Sequence, residues 1–413
     1  MARQSIYHPD HTKLTRNHIK ISYDNNFDTK KSCTFAEQYG VLFFPCADIH
    51  RRHEVSSSFP SLNEKTIDYK TRKSMNIFPK TLITASCVLL FCSELTAEKM
   101  TNETDLLQPE ATQEKVTFLK FGNLDQWLVR NIKESRLIGG KTKTIYAIAP
   151  NGTWNNDNPY RGIGGSPWAT SNVLAKVSGI TKTNISVYKE ARPGHGYCAK
   201  LYTHLEECKV LGIVNIKVLA AGSIFLGKTM EPITGTSNPM SKLDAGVKYN
   251  LRPKAICFDY KVKLSGQPNR IRQTGFSKVT TVKGIDMPDC ILYLQKRWED
   301  SDGRIFAKRV GTMVKRFDKS TTDWVNNAVF DIHYGNITKE NFYQEYMGLT
   351  SGENTKYAEN SKGEMVEVKE IGWADANETP THLVLQFDSS HGGAYVGSVG
   401  NSFWIDNIRI IHP

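Results

Sequence analysis

The chain has 413 residues, a formal net charge of +11 and eight cysteines, with 39% hydrophobic and 23% charged residues. This length holds one large or two modest domains with a substantial core. The basic excess is mild and spread along the sequence, which implies a solvated surface and excludes the concentrated basic arm of a nucleic-acid binder.

Residues 1–74 mix charges with little periodicity. His8, His11, His18, His50 and His53 lack any repeated ligand spacing, which argues against a metal site there. Met75 to Lys99 then carries Lys80, an apolar core from Leu82 to Cys92, and Leu95 and Ala97 at the cleavage positions. That is the pattern of a secretory signal, which works only at an N-terminus. The expectation is that translation starts at Met75, that residues 1–74 are an over-extended, unstructured gene start, and that 75–97 is the signal peptide. The exported chain would begin near Glu98. The apolar core is shorter than the roughly 20 residues of a transmembrane helix. Phe91 before Cys92 disfavours lipoprotein processing, and Cys87 has too little apolar sequence ahead of it, so a cleaved, soluble product is expected. Residues 98–115 are polar and acidic and read as a flexible leader.

From residue 116 to 413 the pattern is two-residue alternation between turn signals. Ile256, Phe258, Tyr260, Val262 and Leu264 share one face of a run whose other face holds Cys257, Asp259, Lys261 and Lys263. The runs 214–218, 328–334 and 383–387 alternate in the same way. Half-buried strands with one wet face produce this pattern, and linkers such as NGTWNNDNPYRGIGGSP carry the turn residues. Helical periodicity is confined to 124–132 and 339–346. The prediction is an all-β chain: an antiparallel β-sandwich, a jelly roll with long loops. Cys198, Cys208, Cys257 and Cys290 could form up to two disulfides, in three pairings, or remain free thiols.

Several blocks in this region resemble a known family in order and spacing. They are FGNLDQWLVRNIKESRLIGG, PWATSNV, AAGSIFLG, YNLRPKAICFDYKVKL, MPDCILYLQKRWED and LVLQFDSSHGGAYVGSVGNSFWIDNIRII. Arg252, Pro253 and Lys254 with Tyr260 and Lys261, then Asp289, Ser389, Ser390, Gly393, Gly397, Gly400 and Asp406, stand at its motif positions. The family is the putative carbohydrate metabolism domain family of Gram-negative, polysaccharide-degrading bacteria. The resemblance implies a galactose-binding-like jelly roll, location in the periplasm or at the outer membrane, and a glycan partner. It also implies a structural calcium ion where the first and last strands meet, with Asn123, Asp125 and Asp406 as oxygen donors.

Sugars stack their C–H faces on aromatic rings and hydrogen-bond to amides and carboxylates. Trp154, among Asn156, Asp157 and Tyr160 in an amide-rich loop, is the first candidate platform, followed by Trp298 and Trp373 beside turns. Trp127, Trp168, Trp324 and Trp404 read as packing residues. Glycoside hydrolysis needs two carboxyl groups, one acid and one base or nucleophile. Asp259, Asp289, Asp331 and Asp388 lie on or beside strands and are the candidates; Glu299, Asp300 and Asp302 read as a solvated hairpin tip. The leading expectation is an exported carbohydrate-binding jelly roll. The alternatives are a glycoside hydrolase working through paired strand carboxylates and a structural or adhesin-like surface protein.

Overall fold

A computed structural model describes residues 114–413 except 211–213, 236–237 and 276. The gene-start, signal and leader assignments, residues 1–113, lie outside the described residues. The rest is built from strands and short 3₁₀ turns. The all-β sandwich expected from the alternation is what the chain forms, and the strands predicted around 256–264, 214–218 and 383–387 are present as Ala255–Lys263, Val214–Ala220 and His382–Asp388.

One layer is a six-stranded antiparallel sheet in the order Val325–Asp331, Ala255–Lys263, Ser402–His412, Tyr197–Tyr202, Val187–Ala191, with Lys115–Phe118 also paired to Ser402–His412. The other is a ten-stranded sheet, and it is mixed: Leu243–Ala245 runs parallel to Lys356–Glu359, and Ile305–Arg316 parallel to Met365–Trp373. This corrects the expectation of purely antiparallel pairing. Within it, His382–Asp388 pairs with Asp289–Glu299 on one side and with Ser223–Thr229 on the other. Those pairings join seven strands in a closed circuit through Ile305–Arg316, Met365–Trp373, Lys356–Glu359 and Leu243–Ala245.

The two-residue period of a strand then sorts the side chains. Leu292, Leu294, Leu383, Leu385, Phe387, Ile224 and Leu226 face outward from the circuit and pack against Ile256, Phe258, Phe403, Ile405 and Leu201 of the six-stranded sheet. Asp289, Tyr293, Gln295 and Arg297 alternate with them and point the other way. Both faces of Asp289–Glu299 and His382–Asp388 are therefore covered, in place of the one wet face predicted for 383–387.

Two local expectations fail. Residues 124–132, read as helical, form the strand Trp127–Lys133, because its register with Thr142–Ile148 buries Trp127, Leu128, Arg130 and Ile132 together. Residues 339–346 contain only the start of the 3₁₀ turn Glu345–Met347. All four described cysteines are free, and three of them are buried.

Candidate functional site

The register across the closed circuit puts four residues with ionisable or hydroxyl side chains in one row. Arg316 pairs with Asp289, Asp289 with Asp388, and Asp388 with Ser223, on four neighbouring strands. Directly opposed residues on one face have Cβ atoms about 5 Å apart. The row borders a cavity of about 940 Å³ between this face of the circuit, the strands Val173–Val177, Ile180–Asn184, His204–Val210 and Val214–Ala220, and the loop 345–354, at the upper end of the size range of small-molecule sites. Tyr293, Tyr346, Phe225, Lys356 and Gln386 share its wall.

Asp289 is 3% exposed and its Oδ1 has no hydrogen-bond partner among the described residues. Burial and the neighbouring Asp388 carboxyl push Asp289 well above the ordinary carboxylate range. Asp388 is also raised by burial, but Lys356 and hydrogen bonds from neighbouring side chains, Asp289 among them, work against the rise. Gln386 Nε2 donates to Asp388 Oδ1 at 2.9 Å, and Gln386 Oε1 accepts from Lys356 Nζ at 2.7 Å. Two carboxyl groups this close cannot both ionise freely, so the pair holds a proton between them and titrates as a unit above the ordinary carboxylate range. Burial depresses Lys356 despite the two carboxyls near it.

A buried polar belt backs this wall. Arg309 and Glu370, both fully buried, form a bidentate pair at 2.7 and 2.6 Å. Glu370 also accepts from Gln295 Nε2 at 2.6 Å and from the Thr350 N–H at 2.7 Å, which ties the loop before Lys356 to the interior. Arg309 lies 3.4 Å above the centre of the Tyr293 ring, which lines the cavity.

A second cavity of about 730 Å³ is lined by Trp298, Asp244, Arg297 and His382. Trp298 is 41% exposed and stacks on its cross-strand partner Phe306, ring centres 6.0 Å apart.

The other sequence candidates lie elsewhere. Trp154 is half-buried, edge-to-face with Tyr160 at 6.2 Å. Tyr160 is 7% exposed, so its ring is a core element and offers no open face. Asn156 is exposed and caps the Asn158 N–H, and Asp157 pairs with Lys176 at 2.6 Å. Trp373 is half-buried, 5.7 Å from Arg309. Asp259 and Asp331 belong to the six-stranded sheet: Asp331 is exposed, and Asp259 pairs with Arg192 at 2.9 Å. The four strand carboxylates thus divide between the two sheets, and only Asp289 and Asp388 meet. Asp406 also pairs with Arg192, at 2.6 Å, sharing it with Asp259, while Asp125 accepts from the Tyr197 N–H and from Asn123. Among the described residues no cluster of three His, Cys, Asp or Glu side chains could hold a metal ion. Glu299 and Asp300 serve turns, through Ser361 and Arg304.

Sequence reasoning missed Arg316, Lys356, Gln386 and Tyr346. Each is a single polar or aromatic residue whose role depends on register across strands distant in sequence, and no local motif marks it.

No family profile matches the chain and no curated protein matches it, so the family resemblance rests on its motifs alone. Among solved structures, a putative glycoside hydrolase of Bacteroides thetaiotaomicron VPI-5482 is 17% identical over 69% of this chain and 71% of its own, with a TM-score of 0.36. A putative glycoside hydrolase of Bacteroides vulgatus ATCC 8482 is 13% identical over 72% of this chain and 94% of its own, with a TM-score of 0.33. Likeness this slight carries no argument about activity. Among the described residues no helix is long and apolar enough to cross a membrane.

Proposed function

We propose that the chain processes glycans, with Asp289 and Asp388 as the acid and base of glycosidic-bond hydrolysis. The observation that carries this reading is the pair of carboxyls, in register on neighbouring strands and in contact, on the wall of the larger cavity. The pair is in hydrogen-bond contact, unlike the roughly 6.5–9.5 Å spacing at which an inverting enzyme seats water, so acid and base act from one face of the ring and water enters on the side that the leaving group vacates. In the step proposed, the Asp289 proton goes to the leaving glycosidic oxygen as the C–O bond breaks. A water adds its oxygen to the anomeric carbon and gives a proton to Asp388. That proton passes across the contact to Asp289 and restores the starting state, with one water consumed. The aromatic rings and amide on the same wall are the groups a sugar requires.

The test is reducing-end release from a panel of plant, algal and host polysaccharides by the full chain. Asp289→Asn and Asp388→Asn should each lower it at least 100-fold while circular dichroism is unchanged. Release by both variants at the wild-type rate refutes the assignment.

A second reading, glycan binding without cleavage, is favoured by the exposed Trp298–Phe306 stack beside the second cavity. Export and the jelly-roll description of the sandwich belong to the same proposal. Sequencing the N-terminus of a secreted product checks export: a start near Glu98 supports it, and an intact chain retained in the cytoplasm refutes it.

A further inference from the structure

Arg316 ends the row of four and lines the cavity, yet it forms no ion pair or hydrogen bond among the described residues. Its guanidinium lies 3.9 Å from the centre of the Tyr346 ring, and Tyr346 is 36% exposed, so the pair stands at the mouth. Asp289, its in-register neighbour, attracts it through space but forms no ion pair with it. Nε of Arg316 is buried without a partner. A second arginine, Arg270, is close enough to repel it, and it too lacks a carboxylate partner; it bonds His391 Nε2 at 3.1 Å and the Lys283 carbonyl at 2.9 Å. His391 adds no charge, since burial together with Arg316 and Arg270 pulls it down to about 4.

Leaving a half-buried cation unpaired beside a like charge is costly, and a flat guanidinium fixed over a ring is preorganised for a bidentate anion. We infer that Arg316, steadied by Tyr346 and reinforced by Arg270, binds an anionic group on the sugar ring, the carboxylate of a uronate or a sulfate ester, and so makes acidic glycans the substrate class. The inference rests on the glycan reading of the same cavity. Tyr346 supplies a stacking surface at the point where the anion is held, which a neutral sugar would use less fully.

The test is calorimetric titration of the full chain with three probes: a galacturonate trimer, a sulfated galactose trimer and the neutral galactose trimer. At least one acidic probe should bind ten-fold or more tighter than the neutral one. Arg316→Met should erase that difference, Arg316→Lys should restore part of it, and the preference should shrink as salt rises. The galacturonate and sulfate arms distinguish the two anion sources. Equal binding of acidic and neutral probes, or a preference that survives in Arg316→Met, overturns the inference and leaves the hydrolase reading standing. Binding of none of the probes, together with no reducing-end release from any polysaccharide, overturns both. If Arg316→Met does not fold, the Lys variant and the salt series decide the question.

Discussion

Glu370→Gln is the sharpest perturbation the interior offers. It keeps the shape of the side chain and removes one charge from the Arg309–Glu370 pair, whose side chains are both 0% exposed. Burial alone raises the Glu370 carboxyl, but Arg309 and the hydrogen bonds from Thr350 and Gln295 outweigh it, and the net result is below the ordinary 4.5. The variant leaves Arg309 buried and uncompensated. Breaking a buried pair from one side costs about 3–5 kcal/mol, which at about 2 °C per kcal/mol is a drop of roughly 6–10 °C in Tm. Urea unfolding by tryptophan fluorescence measures it. Because the folded carboxyl is depressed, its stabilisation is complete above the unfolded value and drains as pH falls through the folded one. The wild type should therefore lose stability in acid along a slope that the variant lacks. The double variant Arg309→Met with Glu370→Met should cost less than either single change, since no lone charge remains. A Glu370→Gln cost below about 1 kcal/mol, or a double variant as unstable as the sum, refutes the reasoning.

Both carboxyls of the dyad sit above 3.8, so hydrolytic activity should peak above the ordinary carboxylate range. Its two limbs should report the two proton steps of the pair, displaced above the ordinary carboxylate range; a kcat/KM profile with no acid limb, or one at the ordinary carboxylate value, contradicts this. Gly227→Ala places a Cβ 2.0 Å from the Asp244 carbonyl oxygen at a φ of +145°, so it should cost at least about 2 kcal/mol in urea unfolding; a neutral result removes the strain argument. Trp298→Ala should change stability by less than about 1 kcal/mol, because the ring is 41% exposed, yet abolish any glycan binding at the second cavity. Unchanged binding in that variant ends the second reading.

The strands were legible because Ala255–Lys263 and His382–Asp388 advertise a period of two that only an extended chain can satisfy. The same period misled where other strands and a loop cover the far face, since alternation shows direction and not what lies beyond it. Asp289 and Asp388 stood out as strand carboxylates, but their meeting depends on a register between segments about 100 residues apart. Trp154 looked exposed among amides because sequence cannot show Tyr160 folding against it. Trp127–Lys133 looked helical because a buried Arg130 paired to Glu231 breaks the apolar pattern of a two-sided strand.

His382–Asp388 is held on both flanks, and it carries Asp388. It works as a clasp: letting go of it opens the ring and parts Asp388 from Asp289 and Ser223 in one event. Heat should therefore extinguish chemistry and structure at a single temperature, with no folded but inactive species between.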